Sequence, residues 1–425
     1  MDRGLGPAGS IGQAPAAMQT PASSLPDINS ETYPFEVVQR LLDEAAYFNL
    51  YSMPELRNTH SILGSSGTRN VVGFKICEDL CRFRVLLAPP SQGGGLRASN
   101  AIGETVARFE HRWMLIPWEY SALPGREPPK VSLDTSRSQR FVMLDGRCVF
   151  GNGEDGFVGF GTGTTYPATV NGQKQLLAGA VGNIMEGFGR FKGHDGTYVY
   201  CGTISPENGF TGSLLLRTMD PGGTLCSDSS FCGMQTTHPR EPGITYVVLR
   251  GQKRDRNQKT EYVMGPGNEI TGLKVHQQLR VMEVDCGWGS RREIRACART
   301  GPVIGSMTAQ ISFNLLNPGA PGTGSSPIPF KSYNTYAFFD CDGKEVGTIE
   351  ADGGEGRTFN LSLPGAPGQR ALRFGGIGLI VKGTGHFTGI QGLMTDNSVV
   401  GIAPHALATF YVLRIDDPGG RFRLQ

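Results

Sequence analysis

The feature that most constrains this chain is a glycine motif that occurs twice. Residues 182–196 read GNIMEGFGRFKGHDG, and residues 378–392 read GLIVKGTGHFTGIQG. The five glycines of the first copy recur in the second at one constant offset, and Phe191 matches Phe387. A glycine inside a strand packs nothing and costs entropy, so it usually marks a bulge or a close approach of two backbones. This density of glycine predicts a strongly bent strand in each half of the chain.

Further pairs of segments extend the repeat. LLLRTMDPGG at 214–223 matches YVLRIDDPGG at 411–420, and FVMLDG at 141–146 is similar to FFDCDG at 338–343. Because these matches keep their order along the chain, we infer an internal duplication. Neither copy alternates strands with helices, which argues against a doubly wound α/β fold. The repeat therefore predicts two domains of the same all-β fold.

The matched segments also pair two aspartates and two arginines. Asp220 and Asp417 each precede a Pro-Gly dipeptide, where an aspartate side chain typically caps a turn. Arg217 and Arg414 lie three residues earlier in their segments. We interpret all four as structural residues.

Composition agrees with many short strands joined by turns. The chain has 425 residues with 61 glycines and 27 prolines, which is typical of strand-and-turn architectures. Its length favours two domains of about 100 to 200 residues each. One segment after Ser30, SETYPFEVVQRLLDEAAYFNLY, has apolar residues near helical spacing and predicts the only substantial helix.

These observations predict the following domain boundaries. Residues 1–29 form a disordered arm, and residues 30–60 form an N-terminal helical segment. Residues 61–221 form the first β-barrel, residues 222–243 a linker, and residues 244–425 the second β-barrel.

The glycine motif resembles the strand signature of the allene oxide cyclase and dirigent barrels. GTGHFTG at 383–389 fits that signature well, whereas GFGRFKG at 187–193 has Phe188 in place of the threonine. The resemblance implies two tandem antiparallel β-barrels. Where plant dirigent proteins often carry an arginine, this chain has Asp195 and Gln391, a departure from the dirigent pattern.

The resemblance also implies a function. Proteins of this kind shape a reactive, mostly hydrophobic small molecule inside a barrel and use no cofactor. We therefore expect a cofactor-free isomerase or cyclase that guides ring closure or rearrangement of a hydrophobic substrate. The alternative is a non-catalytic binding or dirigent-type protein that orients an apolar or phenolic molecule.

Candidate catalytic residues come from the segment FEHRWMLIPWEYSA, which has polar residues within a strand-like run. Strand alternation places Glu110 and Arg112 on one face with Trp118, and His111 and Trp113 on the other. If the first face lines the lumen, the guanidinium holds a carboxylate that handles protons. If not, the two residues are a surface pair.

The remaining candidates complete a site in the first barrel, which has two of the three tryptophans. Glu119 is the third catalytic candidate. The residues expected to bind substrate are aromatic: Trp113, Trp118, Tyr120, Tyr198 and Tyr200. The repeated glycines are interpreted as bending devices of the fold.

Several other functions are not indicated. A formal charge of +2 without runs of like charge gives no sign of nucleic-acid binding. No apolar run reaches the roughly 18 residues of a membrane span. The seven histidines and nine cysteines show no metal-ligand spacing, so we expect no metal. An odd cysteine number favours a reducing compartment, the cytoplasm, although Cys226 and Cys232 are close enough to form a disulfide. The sequence leaves open whether the chain forms a homo-oligomer.

Overall fold

Seventeen β-strands and a single α-helix make up the described part of the chain in the computed structural model. The structure describes residues 33–43, 45–63, 71–88, 95–117, 141–170, 173–205, 209–220, 225, 243–252, 260–266, 270–288, 294–313, 328–362, 366, 370–401 and 406–423. The predicted all-β class is confirmed. None of the helices described has the length and apolar character that crossing a membrane requires.

The predicted N-terminal helix is real but much shorter than the 30–60 segment. Helix α1 spans Phe35–Asp43 and buries Val38, Leu41 and Leu42. Strand β1 then begins at Ala45 and extends to Leu63. Its first residues are buried on both faces, because one face lines a barrel and the other packs between the two barrels. Such a mostly apolar run cannot be told from a helix by periodicity alone, which explains the error.

The first eight strands form a closed antiparallel barrel. They are β1, β2 (Val71–Ala88), β3 (Arg97–Pro117), β4 (Phe141–Gly151), β5 (Gly156–Val170), β6 (Gln173–Phe188), β7 (Gly196–Ser205) and β8 (Gly209–Met219). Each strand pairs with the next, and β8 pairs with β1 from Ala45↔Met219 to Ser52↔Gly212. This last pairing removes the free sheet edges.

The remaining strands form a second large antiparallel sheet. They are β9 (Ile244–Gln252), β10 (Glu261–Met264), β11 (Ile270–Trp288), β12 (Ile294–Phe313), β13 (Ile328–Phe339), β14 (Glu345–Ser362), β15 (Arg370–Gly383), β16 (Gly392–Gly401) and β17 (Leu407–Asp416). Strand β9 pairs with β17 on one side and with four residues of β11 on the other, so this sheet also returns on itself. Short β10 pairs with the beginning of β11.

Three clusters of buried side chains hold this arrangement together. One fills the interior of the first barrel, a second lines the interior of the second barrel, and a third lies between the barrels. The third cluster packs Tyr47, Tyr51 and Phe83 of the first barrel against Tyr246 and Phe410 of the second. The strands at the contact between the two barrels therefore bury both faces, one toward a barrel interior and one toward the other barrel.

Polar groups also join the two barrels. Arg373 of β15 is buried, and its Nη1 donates to the carbonyl of Gly196 at 2.6 Å and to Asn183 Oδ1 at 3.2 Å. Arg414 of β17 donates from Nη2 to Thr203 Oγ1 at 3.3 Å. These arginines lie on the outer face of the second barrel and point away from its lumen.

The two copies of the glycine motif have the same local structure, which is not a single bent strand. Each copy ends one strand, forms one turn of 3-10 helix and begins the next strand; the turns are Gly189–Phe191 and Gly385–Phe387. The first residue of each turn is a glycine with positive φ, 63° in Gly189 and 56° in Gly385. The third residue is a phenylalanine that is fully buried at one end of a barrel. The motif therefore closes a barrel end.

The structure supports one further match of the repeat and corrects another. Asp417 caps the turn that follows β17, as predicted, by accepting from the N–H of Phe422 at 2.9 Å; Asp220 makes the matching bond, accepting from the N–H of Leu225 at 2.9 Å. In contrast, FVMLDG lies within β4, whereas FFDCDG ends β13 and enters a turn. Those two segments are not equivalent.

We expect Gly389→Ala to destabilise the protein by about 1 to 2 kcal/mol, the cost of a side chain in a left-handed conformation. Gly389 has φ 77°, and an added Cβ would touch no other atom, so the effect isolates backbone strain. Gly193, with φ 85° and equally open space, should behave in the same way. Urea unfolding measures the loss, and Gly419→Ala is the control, because Gly419 has open space without positive φ. Equal stability of all three variants would contradict the prediction.

Candidate functional site

The two predicted catalytic residues of β3 face outward. Glu110 is half exposed, and its Oε1 pairs with Lys75 Nζ at 2.8 Å; Arg112 is exposed. The opposite face of the same strand carries the buried residues Phe109, His111 and Trp113. The lumen role expected for Glu110 and Arg112 is therefore wrong, and the surface alternative holds. The reason is strand alternation, because only one of the two faces can point into the barrel.

Three of the residues predicted to bind substrate do lie in the first lumen. Trp113, Tyr198 and Tyr200 are buried in the cluster that fills this barrel. They pack with other aromatic rings; Tyr198, for example, meets Phe150 edge to face with the ring centroids 5.1 Å apart. The described part of this lumen is thus occupied by side chains. Trp118, Glu119 and Tyr120 lie outside the described residues, as do Cys226 and Cys232.

A polar chain crosses the first lumen. Ser52 donates to Glu78 Oε2, Glu78 Oε1 lies 3.5 Å from His111 Nε2, and Trp113 Nε1 donates to His111 Nδ1. All four residues are buried. Sequence reasoning missed Glu78, because it is one of two adjacent acids in CEDLC. Only the closed barrel decides that Glu78 points inward and Asp79 points outward.

The second lumen contains a cavity of about 40 Å³. Apolar side chains of β11, β12, β13, β15 and β17 form most of its wall. Its polar lining consists of Thr260, Gln277, Ser332, Asn334, Asp396, Ser398 and Tyr411. A cavity of this size holds roughly three to four water-sized groups, because each needs about 10 to 15 Å³. The second lumen, in contrast to the described part of the first, has room for a small molecule.

Asp396 is the only acidic residue among the described residues that line this cavity. Its carboxylate accepts a hydrogen bond from Ser398 Oγ at 3.0 Å and another from the backbone N–H of Gly376. Burial raises the pKa of Asp396 to about 7, because the ionised form loses its hydration; the two hydrogen bonds oppose this shift. The carboxyl group therefore changes its charge near neutral pH.

Two amide side chains lie in the same lining. Asn334 Nδ2 donates to Ser332 Oγ at 3.3 Å. Gln277 is buried, hydrogen-bonds the Tyr411 hydroxyl, and has an Oε1 atom without a hydrogen-bond partner. A buried acceptor without a donor is costly, so its presence in a cavity indicates a place for a ligand donor.

Glycines of the barrel wall make room for these polar groups. A Cβ at Gly376 would overlap Asp396 Oδ1, and one at Gly251 would overlap Gln277 Oε1. The same holds for Gly353, opposite Ser332 Oγ. These glycines are required by close side-chain approach, a role that the sequence analysis did not assign to any glycine.

Comparisons with known proteins do not name this arrangement: no protein-family model, no curated protein and no solved structure matches the chain. Within the described ranges, no group of three histidine, cysteine, aspartate or glutamate side chains could hold a metal ion. The resemblance to allene oxide cyclase and dirigent barrels stays an untested prediction.

The predicted site lay in the first barrel and did not include Asp396. The signal was present in LMTDNSVV, where Met394, Asp396, Ser398 and Val400 alternate with a second set of residues. Both faces of β16 are buried. The sequence pattern therefore has no clearly solvent-exposed face from which the inward-pointing residues could be identified. The alternation identified two faces, and the closed sheet decided between them.

Proposed function

We propose that the second barrel binds a small molecule in its lumen and that Asp396 transfers a proton to or from it, the chemistry of a cofactor-free isomerase. The observation that carries the proposal is a buried carboxyl group, with a pKa of about 7, in the wall of a cavity. A general acid or base works best when its pKa lies near the operating pH. The pKa of Asp396 meets this requirement, and the proposed proton transfer needs no cofactor.

The surrounding groups suit an acid–base reaction. The ionised carboxylate takes a proton from the bound molecule, and the resulting acid returns it at another atom, which is an isomerisation. The hydroxyl of Ser398 and the N–H of Gly376 hold the carboxylate in place. Gln277 and Asn334 supply hydrogen-bonding groups that orient the molecule, and the remaining wall is mainly apolar.

Cavity size narrows the substrate. A volume of about 40 Å³ accommodates roughly three to four non-hydrogen atoms. The ring-forming polyenes and phenols that the family resemblance implies are much larger. The proposal therefore retains the isomerase class and the barrel lumen, but it replaces a large hydrophobic substrate with a small one.

We expect the protein to catalyse α-proton exchange of small carbonyl compounds, such as acetaldehyde and acetone, in deuterated buffer. Exchange is the simplest reaction of a base that removes and returns a carbon-bound proton. The Asp396→Asn variant should lower the rate by on the order of 10² or more. Loss of the α-proton signal in NMR spectra at pD 6 to 8 measures the rate.

The matched control is Asp352→Asn, because Asp352 is an exposed acid on β14. This variant should exchange at the wild-type rate. Equal exchange by wild type and Asp396→Asn would refute the catalytic role of Asp396.

A second candidate function is binding without catalysis. It is favoured because Asp396 is the one acid among the described lining residues. The neighbouring Tyr336 and Tyr411 stay neutral, since burial raises their pKa values well above the usual range, so they do not act as a second base. Saturable binding of a small molecule without any exchange of its protons would support this alternative.

We also propose that the protein works in the cytoplasm. The support comes from Cys81, Cys148 and Cys201, which are buried as thiols and are typical of a reducing compartment. The proposal does not depend on a homo-oligomer, because all the groups in the lining come from one chain.

A further inference from the structure

The charge of the second lumen is unbalanced. Asp396 is the one charged side chain among the described lining residues, and none of them is lysine, arginine or histidine. The buried arginines of this barrel, Arg373 and Arg414, lie on its outer face and bind groups there. The other titratable side chains that interact with Asp396 are Tyr336 and Tyr411, whose hydroxyls are neutral near pH 7. An ionised Asp396 therefore has no positive partner in the described wall.

One buried hydrogen-bond acceptor in this part of the lumen also lacks a donor. Gln277 Oε1 is buried in the cavity lining and has no donor. The wall glycine Gly251 has no side chain that could reach this atom, and a larger residue there would overlap it. The lining thus presents a buried acceptor without a donor, Gln277 Oε1, and a carboxylate that has no positive partner among the described lining residues.

Aromatic rings complete the wall. Phe330 and Phe374 meet edge to face with their ring centroids 5.7 Å apart, and Tyr411 contributes a third ring. Aromatic faces attract organic cations and also accept the apolar part of a ligand. A divalent metal ion is instead usually held by several charged or imidazole ligands, and Asp396 is the one charged side chain in the described lining, which has no histidine.

We infer that this lumen, already proposed as the ligand site, binds a small organic ammonium ion, with Asp396 as its counter-ion and Gln277 Oε1 as an acceptor of one of its N–H groups. The inference rests on the proposed function for the location of the site and adds the chemical class of the ligand. The alkyl part of the ion lies against the aromatic and aliphatic wall. A proton passed from the ammonium nitrogen to the carboxylate leaves a neutral amine and a neutral acid, which balances atoms and charge.

The binding has a characteristic pH dependence. A cation pairs with the ionised form of Asp396, so binding below the pKa of about 7 requires release of one proton. Affinity should therefore fall about tenfold for each pH unit below 7 and be constant above it. A neutral ligand that accepts a hydrogen bond from the protonated acid would show the opposite trend.

The probe is methylammonium chloride, titrated into the full-length protein at pH 5, 6, 7 and 8 and constant ionic strength, with its methyl signal followed by NMR. Two non-hydrogen atoms limit the dissociation constant to about 10 mM at best. Methanol is the neutral probe of the same size, acetone is the neutral carbonyl probe, and sodium and potassium chloride are the metal-cation probes. The variants are Asp396→Asn, Gln277→Met and the exposed control Asp352→Asn.

We expect saturable methylammonium binding to the wild type at pH 8 and a tenfold loss of affinity for each pH unit below 7. The Asp352→Asn variant should bind with wild-type affinity and Gln277→Met about tenfold more weakly. The Asp396→Asn variant should not bind. Methanol binding as tight as methylammonium at pH 8, or complete displacement by sodium or potassium, would overturn the inference. Binding of acetone that depends on Asp396, without binding of methylammonium, would overturn the inference and leave the proposed function standing. If none of the probes binds, both fail.

Discussion

Replacing Asp396 by asparagine should make the protein more stable above pH 7, by on the order of 4 kcal/mol. The folded-state pKa of about 7 lies well above the value of about 3.9 in an unfolded chain. The folded state therefore binds more protons between about pH 4 and pH 7, and its stability falls as pH rises through this window. Above pH 7 the wild type carries an ionised, buried carboxylate, which asparagine replaces with a neutral group of the same shape.

Urea unfolding of wild type and Asp396→Asn between pH 5 and 8.5 measures this effect. The free energy of unfolding of the wild type should lose about 1.4 kcal/mol per pH unit relative to the variant up to pH 7, and the difference should then level off. Asp352→Asn serves as the control because this carboxylate is exposed, and its curve should run parallel to the wild type. Parallel curves for wild type and Asp396→Asn would show that Asp396 ionises in the folded state as it does in water.

Truncation of the barrel-end phenylalanines should have a similarly large effect. Phe387→Ala and Phe191→Ala should each destabilise the protein by about 3 to 5 kcal/mol, the usual cost of removing a buried aromatic ring. Phe387 is fully buried, packs on Phe338 at 4.8 Å and stacks on Phe422 at 5.6 Å between ring centroids. Phe191 is fully buried against Phe157 at 4.2 Å.

The matched control for Phe387→Ala is Val381→Ala, which removes apolar atoms from a half-exposed position nearby. Its effect on the free energy of unfolding should be within about 0.5 kcal/mol, as for most surface substitutions. If the two phenylalanine variants lose no more stability than Val381→Ala, the motif does not close the barrels. Unequal losses in Phe191→Ala and Phe387→Ala would instead measure how differently the two barrel ends tolerate a cavity.

The two largest effects come from residues that the sequence treated differently. Phe191 and Phe387 belong to the repeat, so their importance was visible from the sequence, although their position in a turn was not. Asp396 lies in a run that reads as an ordinary strand. Its environment depends on which face of β16 points into the barrel, and that in turn depends on closure of a sheet whose strands are far apart in the chain.

The same distinction explains the errors of the sequence analysis. Glu110 and Arg112 share a face, as strand alternation predicted, but alternation alone does not show whether that face points into the barrel or to the outside. Residues 45–52 are mostly apolar and are buried on both faces of the strand, and such a run is common to buried helices and to strands packed on two sides. In both cases the local pattern was read correctly. The sequence did not show which other strands would pack against each face.

The sequence by itself determined the all-β class, the two copies of the glycine motif, and the aspartates that accept backbone hydrogen bonds after β8 and β17. These features depend on backbone conformation and on contacts between residues that are close in the chain. Only the tertiary structure decided which strand faces line the lumens, that side chains fill the described part of the first lumen, and that Asp396 and Gln277 meet at a cavity in the second. The physical reason is that closing a sheet brings distant strands together, so that burial of a side chain depends on all of them at once.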